Sequence, residues 1–277
     1  MAKETEFTEQ VKNGQRFNFG KNWKAYLKKI SQDRIRIAEN SLKEMLFLND
    51  MRSKKFLDIG CGSGLFSLAA RRLNAEVCSV DFDPYSIQCT RVLKNKFPPP
   101  PANHWQITEG SVLDIDFVKN LPQSDIVYSW GVLHHTGNMY QALENVIIPV
   151  KDDGLLFIAI YNDEGRKSKI WLKVKKFYNS SCVGKILVLL FYFPLFFIKG
   201  LLKDIFTLKN PIKRYSDYKK NRGMSMFSDW VDWLGGLPFE VAKPEKIIEF
   251  YTQRGFILQK ITTVNGLGCN QFVFKKI

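Results

Sequence analysis

The sequence predicts an α/β fold: a mostly parallel sheet with helices on both faces, ending in an antiparallel hairpin strand and interrupted by a helical insertion after the fifth strand. Three observations predict it. Short apolar runs alternate with helical patterns from residue 56 to residue 161, as expected of parallel strands joined by crossover helices. Near the end of the chain, Asn265-Gly266 separates two strand-like runs, the pattern of a hairpin. Between these regions, residues 162–242 fit neither pattern, so one domain with an insertion accounts for the 277 residues.

Residues 1–50 read as an N-terminal helical cap. Aromatics at Phe17, Phe19, Trp23 and Tyr26 precede Ile35, Ala38, Leu42, Met45 and Leu46 at helical spacing. Residues 51–161 form the core. The first strand, from Phe56, runs into Gly60, Gly62 and Gly64, and a helix follows over 65–73. The bare turn and the positive end of that helix suit an anionic or carboxylate group. A second strand, 77–80, ends at Asp81. Asp83-Pro84, an N-cap residue before a proline, opens a helix to Lys96. Pro98 to Pro101 stop that helix and impose an extended link.

A third strand is expected at 105–108 and a fourth at 125–130, the latter followed by His134, His135 and a helix over 139–146. The fifth strand, 155–161, follows an expected turn at Asp153-Gly154. After the insertion, residues 243–277 complete the core: Lys243-Pro244-Glu245 opens a helix to Arg254, Gly255 closes it, and strands at 256–264 and 270–275 form the hairpin.

Composition excludes several classes. The five cysteines lie far apart, with no CxxC pair and only three histidines in the chain, so neither a metal site nor a disulfide framework is indicated. The first fifteen residues are polar and lack the apolar stretch of an export signal, so a cytoplasmic protein is expected. A dinucleotide site of the G-x-G-x-x-G/A type is not supported. Leu65 stands where its third glycine would be, and the sheet ends antiparallel.

With these pieces in place, the chain resembles the class I S-adenosylmethionine (SAM) dependent methyltransferases, with their Rossmann-like sheet. Within them it is similar to the ubiquinone-biosynthesis O-methyltransferase group. The resemblance rests on Asp58-Ile-Gly-Cys-Gly-Ser-Gly64, on Asp81, on Gly110-Ser-Val-Leu-Asp114, and on Asp125-Ile-Val-Tyr-Ser-Trp-Gly-Val-Leu-His-His135. It covers roughly residues 55–161 and the hairpin. It implies SAM as cofactor, with Asp58, Gly60, Cys61 and Gly62 at the methionine part and Asp81 holding the ribose hydroxyls. A carboxylate accepts two hydroxyl hydrogen bonds, and Asp81 lies at the end of the adjacent strand. Phe82 is implied at the adenine ring. Family members often carry an acidic residue where this chain has Ser111, so the adenine amino contact falls to Ser111 or to the Val112 backbone. Trp130 and Gly131 are implied at the methionine ammonium group. His135 and His134, at the carboxyl end of the fourth strand, are candidate general bases for a hydroxyl acceptor, with Asp232 or Glu164 as alternatives.

Sheet and cofactor turn do not specify an acceptor, so specificity is sought in the insertion. Of the net charge of +14, eleven positive charges accumulate over residues 162–222, which hold fifteen Lys/Arg and four Asp/Glu. A basic amphipathic segment (167–178) precedes thirteen residues without a charge (186–198, containing Pro194), and a second basic stretch spans 213–222. Thirteen residues are too few to cross a bilayer. The run is therefore expected either as a lid or as an element resting on an anionic membrane surface. Residues 224–239 then set Phe227, Asp229, Trp230, Asp232 and Trp233 beside Gly235-Gly236; aromatics among carboxylates suit a pocket lining. The expectation is methyl transfer to an oxygen, rather than a nitrogen or carbon, of a small-molecule or lipid-linked acceptor. RNA methylation is the alternative suggested by the charge, although no stacking motif or appended RNA-binding module accompanies it. A SAM-binding protein without turnover is the third reading.

Overall fold

The computed structural model describes residues 2–27, 30–98, 104–207, 210 and 226–277. Seven strands form one sheet in the order β3-β2-β1-β4-β5-β7-β6. They are β1 (Lys55–Ile59), β2 (Glu76–Asp81), β3 (Trp105–Glu109), β4 (Ser124–Trp130), β5 (Val150–Tyr161), β6 (Phe256–Thr262) and β7 (Cys269–Lys276). The first five pair in parallel, and β7 inserts antiparallel between β5 and β6. Strand order reverses between β1 and β4, and that switch point opens the crevice where ligands bind in sheets of this kind.

Each face of the sheet carries its own core. Leu57, Val127, Ile158, Phe272 and Phe274 pack with α7 (Met139–Asn145) and α11 (Pro244–Thr252) on one side. Phe56, Tyr128, Phe157 and Val273 meet α3 (Gln32–Leu46) and α4 (Leu65–Arg72) on the other. Ile35, Ala38, Leu42, Met45 and Leu46 are the buried face of α3, which Ser31 caps by accepting from the Arg34 amide. Asp83 caps α5 (Pro84–Lys96), where Pro84 sits in the first turn.

The N-terminal helical cap opens with α1 (Ala2–Lys12) and α2 (Phe19–Leu27). Three elements differ from the sequence reading. A short α6 (Ile115–Lys119) follows β3, capped by Asp114 accepting from the Phe117 amide. Asp153-Gly154 is not a turn that starts the fifth strand. It is a bulge inside β5, where Val150 and Leu155 pair with Ser124 and Ile126, two residues apart on β4. Asp153 has φ of 60° there, so the local signal of a reversal was real but the strand passes through it. Finally, β6 stops at Thr262. The link to β7 therefore starts two residues earlier than expected, and Asn162 and Asn270 hold that loop open: Asn162 Nδ2 donates to Gly266 O and the Val264 amide donates to Asn270 Oδ1.

The insertion contains α8 (Arg166–Ser180), α9 (Cys182–Phe206) and α10 (Met226–Gly235). The thirteen-residue apolar run is the middle of a 25-residue helix, and Pro194 lies inside it without ending it. That helix is about 37 Å long at 1.5 Å per residue. The basic stretch 213–222, Met224, most of the proline link and the side chains of Tyr26, Phe227 and Asp229 lie outside the described residues.

Candidate active site

The bare turn after β1 is fixed from below. The Gly60 and Cys61 amides both donate to Val80 O (2.7 and 3.0 Å), the Gly64 amide to Cys61 O, and the Gly62 amide to Asp81 Oδ2 at 2.9 Å. These four amides are thus engaged in shaping the turn. Gly60 is required by packing: at φ +82° a Cβ would stand 2.3 Å from Val132 Cγ2. Gly131 differs, since a Cβ there would stand in open space on the wall of the crevice.

Above the turn lies a cavity of about 660 Å³. Of the sequence-predicted residues, its wall includes Gly60, Gly62, Asp81, Phe82, Ser111, Val112, Trp130, Gly131, His135 and Asp232. Four lie off the wall, each for a visible reason. Asp58 is 2% exposed and accepts the Ser67 hydroxyl at 2.5 Å, anchoring the first turn of α4. Burial raises its carboxyl to about 7 against those hydrogen bonds. Cys61 is buried with its Sγ 3.3 Å from Thr90 Oγ1, and burial lifts its thiol well above the usual range. His134 is fully buried, its ring centroid 4.0 Å from that of the tilted Tyr161 ring, with Nδ1 accepting from the Tyr161 amide. Burial holds it neutral, and it has no face toward an acceptor. Glu164 is also off the wall; it accepts from Asn162 Nδ2.

Asp81 sits at the end of β2 with one oxygen on the Gly62 amide and the other on the Asp83 amide, both 2.9 Å. Burial and the neighbouring Asp83 raise it to about 7. Its remaining acceptor capacity faces the cavity with the Phe82 ring beside it.

His135 is the histidine on the wall. Its Nδ1 lies 2.6 Å from Pro238 O. A carbonyl only accepts, so Nδ1 carries the proton and Nε2 keeps its lone pair. Burial, with Lys175 and Arg16 adding positive charge, pushes His135 down to about 3 against the help of the Pro238 carbonyl. Asp232 is positioned from α10 and bonds Asn22 Nδ2 of α2. Trp230 and Trp233 of the same helix, Phe196 of α9 and Tyr161 complete an aromatic end of the cavity.

Two groups of wall residues were not foreseen. Phe7 of α1 is 2% exposed and meets Phe82 edge-on at 5.8 Å, and Trp23 packs on Gly62. Arg16 lies over Phe82 and donates to His135 O and Thr136 O. Val264, Leu267 and Gly268 of the opened hairpin loop form the other unforeseen edge. The Asn-Gly pair marks that loop but does not show where it faces.

Residues 57–156 match the family model described as "Methyltransferase domain". The ubiquinone biosynthesis O-methyltransferase of Glaesserella parasuis is 30% identical over 119 residues, 41% of this chain and 48% of that protein. The ribosomal protein L11 methyltransferase of Alteromonas mediterranea is 51% identical over 43 residues, 15% of each chain. The chain thus spans about half the length, or less, of these relatives. Their names differ in all but methyltransferase activity, so the likeness concerns the shared domain. Among solved structures, magnesium protoporphyrin IX methyltransferase from Synechocystis PCC 6803 with bound SAH superposes with a TM-score of 0.52 at 11% identity, covering 90% of this chain and 86% of that one. Strand order, the Gly turn and the cavity wall agree with these matches: residues 57–156 are a methyltransferase domain, the chain has the fold of the solved methyltransferase, and the residues at the Gly turn and Asp81 suit SAM as cofactor.

Proposed function

We propose that the protein methylates an oxygen of a small, largely apolar acceptor, with the SAM end of the cavity at the Gly turn and Asp81 and the acceptor end at His135 and the α10 tryptophans. The observation that carries this reading is that both sets of residues share one cavity. Bound SAM supplies an electrophilic methyl carbon. The chain's own work is then alignment and proton removal. Asp81 and Phe82 suit a ribose and an adenine, and the open space at Gly131 accommodates close approach. Tyr161, Trp230 and Trp233 give the acceptor an aromatic seat, and Nε2 of His135 accepts the proton.

The low basicity of His135 narrows the acceptor. A base held near 3 gives little pull on an alcohol, but it suffices for a phenol or enol whose proton leaves as the new bond forms. His135→Ala is expected to lower turnover about a hundredfold while leaving the SAM-induced rise in melting temperature intact. Turnover retained in that variant transfers the role to Asp232. A panel of phenols and aliphatic alcohols, read by mass spectrometry for the gain of one methyl group, tests the acceptor class.

A second reading, methylation of RNA, is favoured by the positive surplus of the insertion. Strong, salt-sensitive retention of bulk transfer RNA on filters at physiological salt would support it.

A further inference from the structure

The helix α9 is apolar on both sides. Its inner side, with Val188, Leu189, Tyr192, Phe193 and Phe196, packs against Trp171 of α8 and Trp230 of α10. On its outer side, Val183, Leu187, Leu190, Phe191, Phe197 and Ile205 recur at helical spacing and are each between 47% and 68% exposed. It is long and apolar enough to cross a membrane, yet little of it is buried within the protein. An apolar stripe of this length, open to solvent over seven turns, calls for a covering partner.

Charge and shape identify the partner. Lys169, Lys173 and Lys176 are exposed on the adjacent α8. An open groove of about 330 Å³ runs between the two helices, lined by Val174, Phe177, Leu187, Phe191 and Tyr192, with Lys173 on its edge. An apolar slot with an ammonium at its edge suits an acyl chain below a phosphate. A second copy of the chain would set two lysine-bearing faces against each other. A full crossing of the bilayer would strip α9 from the aromatics of α8 and α10.

We propose that the outer face of α9, with the α8–α9 groove, docks flat on an anionic membrane surface, the groove taking one acyl chain and Lys173 its phosphate. Phe196 reaches the catalytic cavity from the inner side of the same helix. Docking therefore places the acceptor end directly behind the membrane contact, so that, resting on the reading above, a lipid-linked acceptor enters from the bilayer.

The test is co-sedimentation of the full chain with phosphatidylcholine vesicles, with and without a third of phosphatidylglycerol. Binding is expected only to the anionic vesicles and to weaken with salt. Each exposed lysine near the surface corresponds to roughly a fivefold change in partition, so Lys173→Glu with Lys176→Glu lowers it more than tenfold. Leu190→Ser with Phe191→Ser and Phe197→Ser should abolish binding; these residues face outward, whereas Phe193 faces Trp230 and its loss would disturb the cavity. An unchanged SAM-induced thermal shift certifies that the variants are folded, and separates failure of docking from failure of the methyltransferase reading. Protein left in the supernatant with anionic vesicles at low salt overturns the proposal. Equal binding to neutral vesicles, or a lipid-free dimer lost in the serine variant, overturns it as well.

Discussion

Asp81→Ala protein is expected to show no rise in melting temperature with SAM under conditions where the parent shows one. The carboxylate organises the site twice over, taking the Gly62 and Asp83 amides at 2.9 Å and leaving acceptor capacity toward the cavity. Two hydrogen bonds from hydroxyls to a charged group are worth about 3 kcal/mol or more together, so affinity should fall at least about a hundredfold. The same group sets a pH dependence. Its folded value, about 7, lies above the usual 3.8, so its contribution to the stability of the free protein is full below 3.8 and lost as pH rises through 7. Ribose hydroxyls favour the ionised form, so the thermal shift produced by SAM should be larger at pH 8 than at pH 6. Asp81→Asn should flatten that difference. A shift that persists in the alanine variant would remove Asp81 from the cofactor site.

Lys175→Met should make the protein melt higher at pH 7 and work more slowly. Lys175 is fully buried. Its ammonium donates to Trp233 O and lies 4.8 Å from the ring centroids of both Trp233 and Phe239. Burial lowers it from 10.5 to about 7, only partly opposed by Asp232. For a depressed lysine, the fold is favoured fully only above pH 10.5 and loses that contribution as pH falls toward 7. The span corresponds to a penalty on the order of 5 kcal/mol, reduced in the variant's balance by the unsatisfied Trp233 carbonyl, about 1–3 kcal/mol. A gain of a few degrees is expected, with a flatter stability profile between pH 7 and 10. Turnover should fall with SAM affinity unchanged, because Lys175 joins α8 to the α10 turn that presents Asp232 and Trp233. A less stable methionine variant would show that the lysine is better paired than its surroundings suggest.

What could be read from the sequence was what is encoded locally. The Gly turn, Asp83-Pro84 and the strand and helix periods act within a few residues, and they located β1 to β4; Gly60, Gly62, Asp81 and Gly131, named through the resemblance, lie on the cavity wall. Choosing between His134 and His135 was beyond reach, because one residue of rotation buries the first ring against Tyr161 and turns the second to the cavity. Phe7 and Arg16 were invisible for a similar reason. Their partners, Phe82 and the His135 carbonyl, lie far along the chain, and a polar N-terminus carries no periodic sign of them. The length of α9 was underestimated because lysines bound its apolar run, although they sit on the helix and do not end it.

Arg16 makes the two ends of the cavity a single thermodynamic unit. Its guanidinium lies over the Phe82 ring on the nucleotide side and donates to the backbone of His135 and Thr136 on the acceptor side, while Gln10 of α1 steadies it at 2.7 Å. A ligand that moves Phe82 therefore moves the donor that fixes the base, and one that moves the base disturbs the cover over the nucleotide. Whatever factor the cofactor applies to acceptor affinity, the acceptor must return to the cofactor. The order in which the two arrive then sets the path but not the sum.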